Sequence, residues 1–114
     1  MDVQSSIDAR LAALLRDHPV CVFLRGNSQK PACAASARVA EILDACDCPY
    51  LAVDVQQDPE IRSYLHKSPD FSEFPQVFLN SELLGGEAIL SELHSQGELA
   101  PMLRQLTESY RLAV

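Results

Sequence analysis

The stretch from Val20 to Cys46 constrains this chain more than any other. Val20-Cys21-Val22-Phe23-Leu24 is an unbroken apolar run, Arg25-Gly26-Asn27-Ser28 interrupts it, and a helical pattern follows from Ala34 to about Cys46. A run without polar alternation predicts a strand buried on both faces. Cys33, in Lys30-Pro31-Ala32-Cys33-Ala34-Ala35-Ser36, therefore falls at a strand–loop–helix junction, on the first turn of the helix. Unpaired backbone N–H groups and the positive end of the helix dipole favour a thiolate there. Cysteines in such places have pKa values lowered from about 8.5 to about 3.5–7.5. The plainer reading is a small cysteine packed under the helix. The helix-start position, the preceding Pro31, and Ser36 three residues on favour the reactive one. Ser36 stands where a redox Cys-x-x-Cys pair carries its second sulfur.

The flanking segments supply the rest of an α/β domain. Ser5-Ser6 can cap a helix whose apolar positions Ile7, Leu11, Leu14 and Leu15 recur at helical spacing. Asp17-His18-Pro19 ends it, because the residue before proline is pushed out of the helical region. In the Cys33 helix, Ala37, Ala40, Ile42, Leu43 and Ala45 are expected inside, and Asp47-Cys48-Pro49 stops it. Tyr50 to Val55 reads as a second strand, parallel to the first across a right-handed crossover. Asp58-Pro59-Glu60 opens a helix through Ile61, Tyr64 and Leu65 that fades by Ser68-Pro69-Asp70. Gln76–Leu79 and Glu82–Leu84 read as strands joined by a tight Asn80-Ser81 turn, hence antiparallel. Gly85-Gly86 precedes a helix through Ile89, Leu90 and Leu93, and a last helix carries Leu99, Met102, Leu103 and Leu106. Together these predict a four-stranded mixed sheet flanked by helices, a thioredoxin-like fold spanning residues 1–114 as one domain.

The length of 114 residues suits a single core. A net charge of −7 argues against nucleic acid or an anionic membrane surface as partner. No apolar stretch approaches the roughly 20 residues that span a bilayer. The polar start, Met1 to Ser6, lacks signal-peptide character, so a cytoplasmic location with reduced cysteines is expected.

The chain resembles the monothiol glutaredoxins. The likeness runs through Val22–Gly26, Pro31–Ser36, Val53–Val55, Asp58–Arg62, Phe74–Asn80, Gly85-Gly86 and Ser95–Leu99, in that order. It implies a glutaredoxin fold and a site binding glutathione beside a single reactive cysteine. It also implies weak glutathione-dependent thiol–disulfide oxidoreductase activity, or a [2Fe–2S] cluster shared by a homodimer or passed to a protein client. By position, Cys33 would be the nucleophile or cluster ligand. Arg25 and Arg62 would contact glutathione, and Phe74 would offer its backbone before a cis Pro75. Gly86, Glu87 and Ala88 would hold the γ-glutamyl end. Pro75 can equally be an ordinary strand-opening proline, and Arg25 and Arg62 surface charges.

Several positions depart from the family pattern. Its Cys-Gly-Phe-Ser is Cys33-Ala34-Ala35-Ser36 here, and its lysine before the loop is Arg25. Glu73 brings a carboxylate toward an anionic ligand, and Glu87-Ala88 replaces a Cys-Asp pair that would meet glutathione's ammonium. The alternative is thus an interaction or assembly module on the same fold that binds neither glutathione nor a cluster. Cys21 reads as core, and Cys46 and Cys48 as structural or incidental, since one Cys-x-Cys lacks the second ligand pair of a zinc site. His18, His66 and His94 read as surface residues, with His66 a weak supplement to an anion site near Arg62.

Overall fold

The computed structural model describes residues 3–67, 71 and 73–113, with the side chains of residues 3–5 and 110–113 left aside. Its elements are α1 (Val3–Asp17), β1 (Val20–Leu24), α2 (Ala34–Ala45), β2 (Leu51–Asp54) and α3 (Pro59–His66), then β3 (Gln76–Leu79), β4 (Glu82–Gly85), α4 (Glu87–Ser95) and α5 (Leu99–Ala113). The sheet order is β2-β1-β3-β4. β1 runs parallel to β2 and antiparallel to β3, and β4 returns antiparallel to β3. This is the expected thioredoxin-like mixed sheet.

The apolar run of β1 is explained by what lies on its two faces. Val20, Val22 and Leu24 point into a core with Val39, Ile42 and Leu43 of α2, Leu90 of α4, and Leu99 and Leu103 of α5. Cys21 and Phe23 point the other way, onto Leu11 of α1 and Ile61 and Leu65 of α3. Alternate residues serve opposite layers, so none can be polar. Phe23 meets Phe78 edge to face, with ring centroids 5.5 Å apart. No helix among the described residues is long and apolar enough to cross a membrane.

Some boundaries and facings differ from expectation. α1 begins at Val3, ahead of the expected Ser5-Ser6 cap. On α2 the buried residues are Ser36, Val39, Ala40, Ile42 and Leu43, whereas Ala37 and Ala45 are exposed. Positions 36, 39, 40 and 43 follow the i, i+3, i+4, i+7 spacing of one helix face, which the two alanines miss. β2 is shorter than Tyr50–Val55, and Val55 sits in the following turn, its N–H donating to Leu24 O at 2.9 Å. Asn80 and Ser81 both take positive φ, 51° and 69°, the geometry of a type I′ hairpin turn. The expected fading of α3 at Ser68-Pro69-Asp70 lies outside the described residues, as does Ser72.

Candidate functional site

Where β1 ends, the chain turns sharply through a loop pinned by its own backbone. Gly26 has φ +84°, and a Cβ there would lie 2.5 Å from Lys30 O and 2.6 Å from Ala32 N. Only glycine suits that conformation and that space. Ala32 N–H donates to Arg25 O at 2.8 Å, closing the loop. Asn27 Oδ1 accepts from the N–H groups of Gln29 and Lys30, at 2.9 and 2.8 Å, an Asx turn that fixes its tip. From β2, Asp54 Oδ1 accepts from Gly26 N–H at 3.0 Å and from Gln56 N–H at 2.9 Å. One carboxylate thus ties the loop after β1 to the turn after β2.

The loop delivers Cys33 to the N-cap of α2, one residue ahead of the expected first turn, with extended φ −148° and ψ 160°. Its Sγ accepts from Ser36 N–H at 3.4 Å, the bond an N-cap oxygen would make. Ser36 is wholly buried, and its Oγ lies 3.1 Å from Cys33 Sγ. The same oxygen accepts from Arg25 N–H at 3.1 Å. In the thiol form the S–H donates to Ser36 Oγ. On ionisation the hydroxyl, its oxygen still engaged by Arg25 N–H, can turn its own proton to the sulfur. Partial burial pushes the Cys33 thiol up, but it is outweighed by Ser36 through side chain and backbone, the Arg25 charge and Ala35 N–H, so the pKa is lowered. The other cysteines differ. Burial drives Cys21 up to about 12, and burial with the neighbouring Cys48 sulfur raises Cys46.

Two cavities hold the other expected site residues. One, of about 440 Å³, is lined by Arg25, Gln56 and Arg62, so the structure brings the two expected arginines together. Both side chains are exposed, and His66 is not part of that lining. The second, of about 550 Å³, is lined by Phe74, Pro75, Gly86, Glu87 and Ala88, and by Ala35 from the Cys33 helix. Cys33 lines neither cavity; Arg25 of the first helps to lower its pKa, and Ala35 of the second lies two residues along the chain. The Phe74–Pro75 peptide is cis, as the resemblance implied. Gln76, 1% exposed, donates from Nε2 to Phe71 O at 3.2 Å and secures the loop before Pro75. Gly86 is required by packing, since a Cβ there would lie 2.7 Å from the Phe71 ring and 3.2 Å from Pro75 O. α4 starts at Glu87 with Gly86 as its N-cap and no side-chain cap, so no side chain satisfies its first N–H groups there. Glu73 and Ala88 are exposed and Glu87 is half-buried.

Sequence reasoning passed over Ser36 as a donor, Asp54 as the loop's anchor and Gln56 as a cavity wall. The burial of Ser36 could have been found from the helical period, but the Asp54–Gly26 bond spans 28 positions and has no local signal. Cys21 lies in the core as expected, whereas His18 and His94 are half-buried and only His66 is exposed. The groove between β4 and α5, lined by Leu83, Met102 and Leu106, holds none of these groups.

Comparison with known proteins agrees with this geometry. The glutaredoxin family model matches residues 20–84, from β1 into β4. Probable monothiol glutaredoxin GrlA of Legionella pneumophila is 39% identical over 83 residues, covering 73% of this chain and 93% of that one. Glutaredoxin 4 of Pasteurella multocida is 34% identical over 96 residues, covering 84% of this chain and 88% of its own. The solution structure of reduced poplar apo GrxS14 superposes with a TM-score of 0.78 at 25% identity, covering 94% of this chain and 98% of that one. With the Cys33 loop inside the matched span and Ser36 where a second cysteine would stand, this chain belongs to the glutaredoxin family, on its monothiol side.

Proposed function

We propose that this protein binds glutathione beside Cys33 and carries out thiol–disulfide exchange through that single sulfur. The observation that carries the reading is the Cys33–Ser36 pair, a half-buried thiol whose ionised form is held by a buried hydroxyl and a helix-start N–H. The Cys33 thiolate attacks the glutathione sulfur of a mixed disulfide, the target thiolate leaves, and glutathione remains bonded to Cys33. Ser36 has no sulfur with which to displace it, so a second glutathione thiolate completes the exchange. Arg25 and Arg62 suit the glycine carboxylate of the bound tripeptide, and the uncapped start of α4 suits the γ-glutamyl carboxylate. The backbone at Phe74, before Pro75, is the natural partner for the cysteinyl unit. What the site lacks is an acceptor for the ammonium, since Ala88 offers none.

A [2Fe–2S] cluster is the other group such a site can serve. Among the described residues no three His, Cys, Asp or Glu side chains gather to hold a metal. Cys33 of each of two copies would supply one thiolate, and the remaining ligands would be thiols from outside the chain. When bound, such a cluster supplies one-electron chemistry or is itself the cargo.

The deciding experiment is exposure of the purified protein to glutathione disulfide, followed by peptide mass mapping and by calorimetric titration with glutathione. A Cys33–glutathione adduct that free glutathione reverses, with weak but measurable binding, is the expected result. A folded protein that forms no adduct and binds no glutathione would instead be an interaction module on this fold.

A further inference from the structure

We propose that Cys46 and Cys48 form a second redox site, a dithiol that exchanges with a low-molecular-weight disulfide such as glutathione disulfide to close an intrachain Cys46–Cys48 bond. Both lie at the opposite end of α2 from Cys33. Cys46 is the C-cap of α2, and Asp47 follows with φ +53°, a left-handed residue that folds the chain back. Disulfides span Cα separations of about 4.4–6.8 Å, and two cysteines flanking one residue of helical curvature fall in that window. The side chains also pack on the same core. Cys46 is a buried member of the core under α5, and Cys48 packs against that same core. The Cys48 sulfur is close enough to raise the Cys46 thiol, and Arg104 of α5 acts on that same thiol in the opposite direction.

The two thiols differ in the way an exchanging pair requires. Cys46 is 7% exposed, whereas Cys48 is half-buried and reachable from solvent. Both are free thiols in this structure. Cys48 Sγ lies 3.3 Å from Thr107 Oγ1 of α5, a contact in which either atom can donate, and its S–H also reaches Pro49 O at 3.5 Å. In the reaction the Cys48 thiolate attacks one sulfur of glutathione disulfide. That disulfide breaks, and a glutathione thiolate leaves and takes up a proton. The Cys46 thiolate then attacks the Cys48 sulfur of the mixed disulfide, and the second glutathione leaves likewise. Two protein thiols lose two electrons in all, and one glutathione disulfide gains them as two thiols. Closure also changes the sulfur that meets Thr107, altering the contact between the end of α2 and α5.

The test uses the full chain with Cys33→Ser, so its outcome does not depend on the function proposed for Cys33. The protein is incubated with glutathione disulfide at neutral pH, quenched in acid, alkylated, and examined by intact and peptide mass. The expected product has lost two hydrogens, carries no glutathione, and leaves only Cys21 free. Adding Cys46→Ala should replace that product by a stable glutathione adduct on Cys48, and adding Cys48→Ala should abolish reaction. The proposal is overturned if Cys46 and Cys48 both stay alkylatable, or if Cys48 keeps its glutathione while Cys46 is intact.

Discussion

Cys33 and Ser36 form the central pair of this molecule: the wholly buried Ser36 hydroxyl lies 3.1 Å from Cys33 Sγ, and Arg25 N–H holds the same oxygen from behind at 3.1 Å. Removing that hydroxyl takes a donor from the thiolate and strands a buried backbone N–H. Ser36→Ala should therefore raise the pH at which Cys33 becomes reactive toward iodoacetamide. It should also lower unfolding stability by about 1–3 kcal/mol, the cost of an unsatisfied buried group. In the unaltered protein Cys33 should alkylate ahead of the other three cysteines. A Ser36→Ala rate profile superimposable on the parent's would remove Ser36 from the account.

Much of this arrangement was legible in the sequence, and the reasons are local. The unbroken run Val20–Leu24 announces a two-faced central strand, and the break before Cys33 places that residue at a helix start. The two positive-φ residues of the β3–β4 turn were legible as a short polar pair between apolar runs. The hidden features join distant segments. Asp54 reaches Gly26, Gln56 joins Arg25 and Arg62, and Cys48 reaches Thr107 across 59 positions. No periodicity encodes such meetings; they exist only once β1 and β2 pair and α5 packs. The misplacement of Ala37 and Ala45 has another cause. Alanine is apolar enough to read as core yet small enough to sit exposed at little cost.

The buried Cys21 gives the fold an alkaline limit. Burial raises its pKa to about 12, so the folded chain keeps the thiol neutral where the unfolded chain ionises it. Its contribution to stability is complete below the unfolded-state thiol pKa and is lost as pH rises from there toward about 12. Cys33 has the opposite sign: its lowered pKa adds stability above the unfolded value and loses it as pH falls through the folded one. Urea unfolding at increasing alkaline pH should show stability declining in the parent and declining less steeply in Cys21→Ala. Equal slopes in the two proteins would contradict the assignment.

The two arginines are separable by their effect on the sulfur. Arg25→Gln and Arg62→Gln should each weaken glutathione binding by about two- to fivefold, as suits exposed charge pairs. Only Arg25→Gln should also raise the Cys33 pKa, since Arg25 alone of the two contributes to lowering it. Calorimetry for the ligand and alkylation rate against pH for the thiol measure the two effects independently. An equal shift of the thiol in both variants would mean that the field at Cys33 is diffuse.

Gly26 tests whether loop geometry matters for the sulfur. Its φ of +84° and the backbone atoms crowding the site leave no room for a methyl group. Gly26→Ala should cost at least about 1–3 kcal/mol, read from chemical unfolding. Because the same loop carries the Arg25 N–H that braces Ser36, Cys33 reactivity should fall as well. Lost stability with Cys33 kinetics untouched would show that the loop and the Cys33–Ser36 pair are uncoupled.

The last prediction concerns the ammonium of glutathione. The second cavity presents the start of α4, which no side chain caps and which suits a carboxylate, but at its rim the Ala88 side chain has no polar atom and Glu87 is half-buried. A tripeptide with two carboxylates and one ammonium would therefore be held at its negative ends and left unmet at its positive one. A charge-assisted hydrogen bond is worth roughly 1.5–3 kcal/mol, and the exposure of position 88 favours the lower end, so Ala88→Asp should tighten glutathione binding about tenfold. An aspartate in the first turn of α4 also stabilises the helix by about 0.3–1 kcal/mol, so the free protein must be measured too. The gain in affinity should exceed any gain in thermal stability and should vanish with a glutathione analogue whose amino group is acetylated. If the analogue benefits equally, the substitution acts on the helix and the ammonium is already satisfied, with Glu87 as its partner.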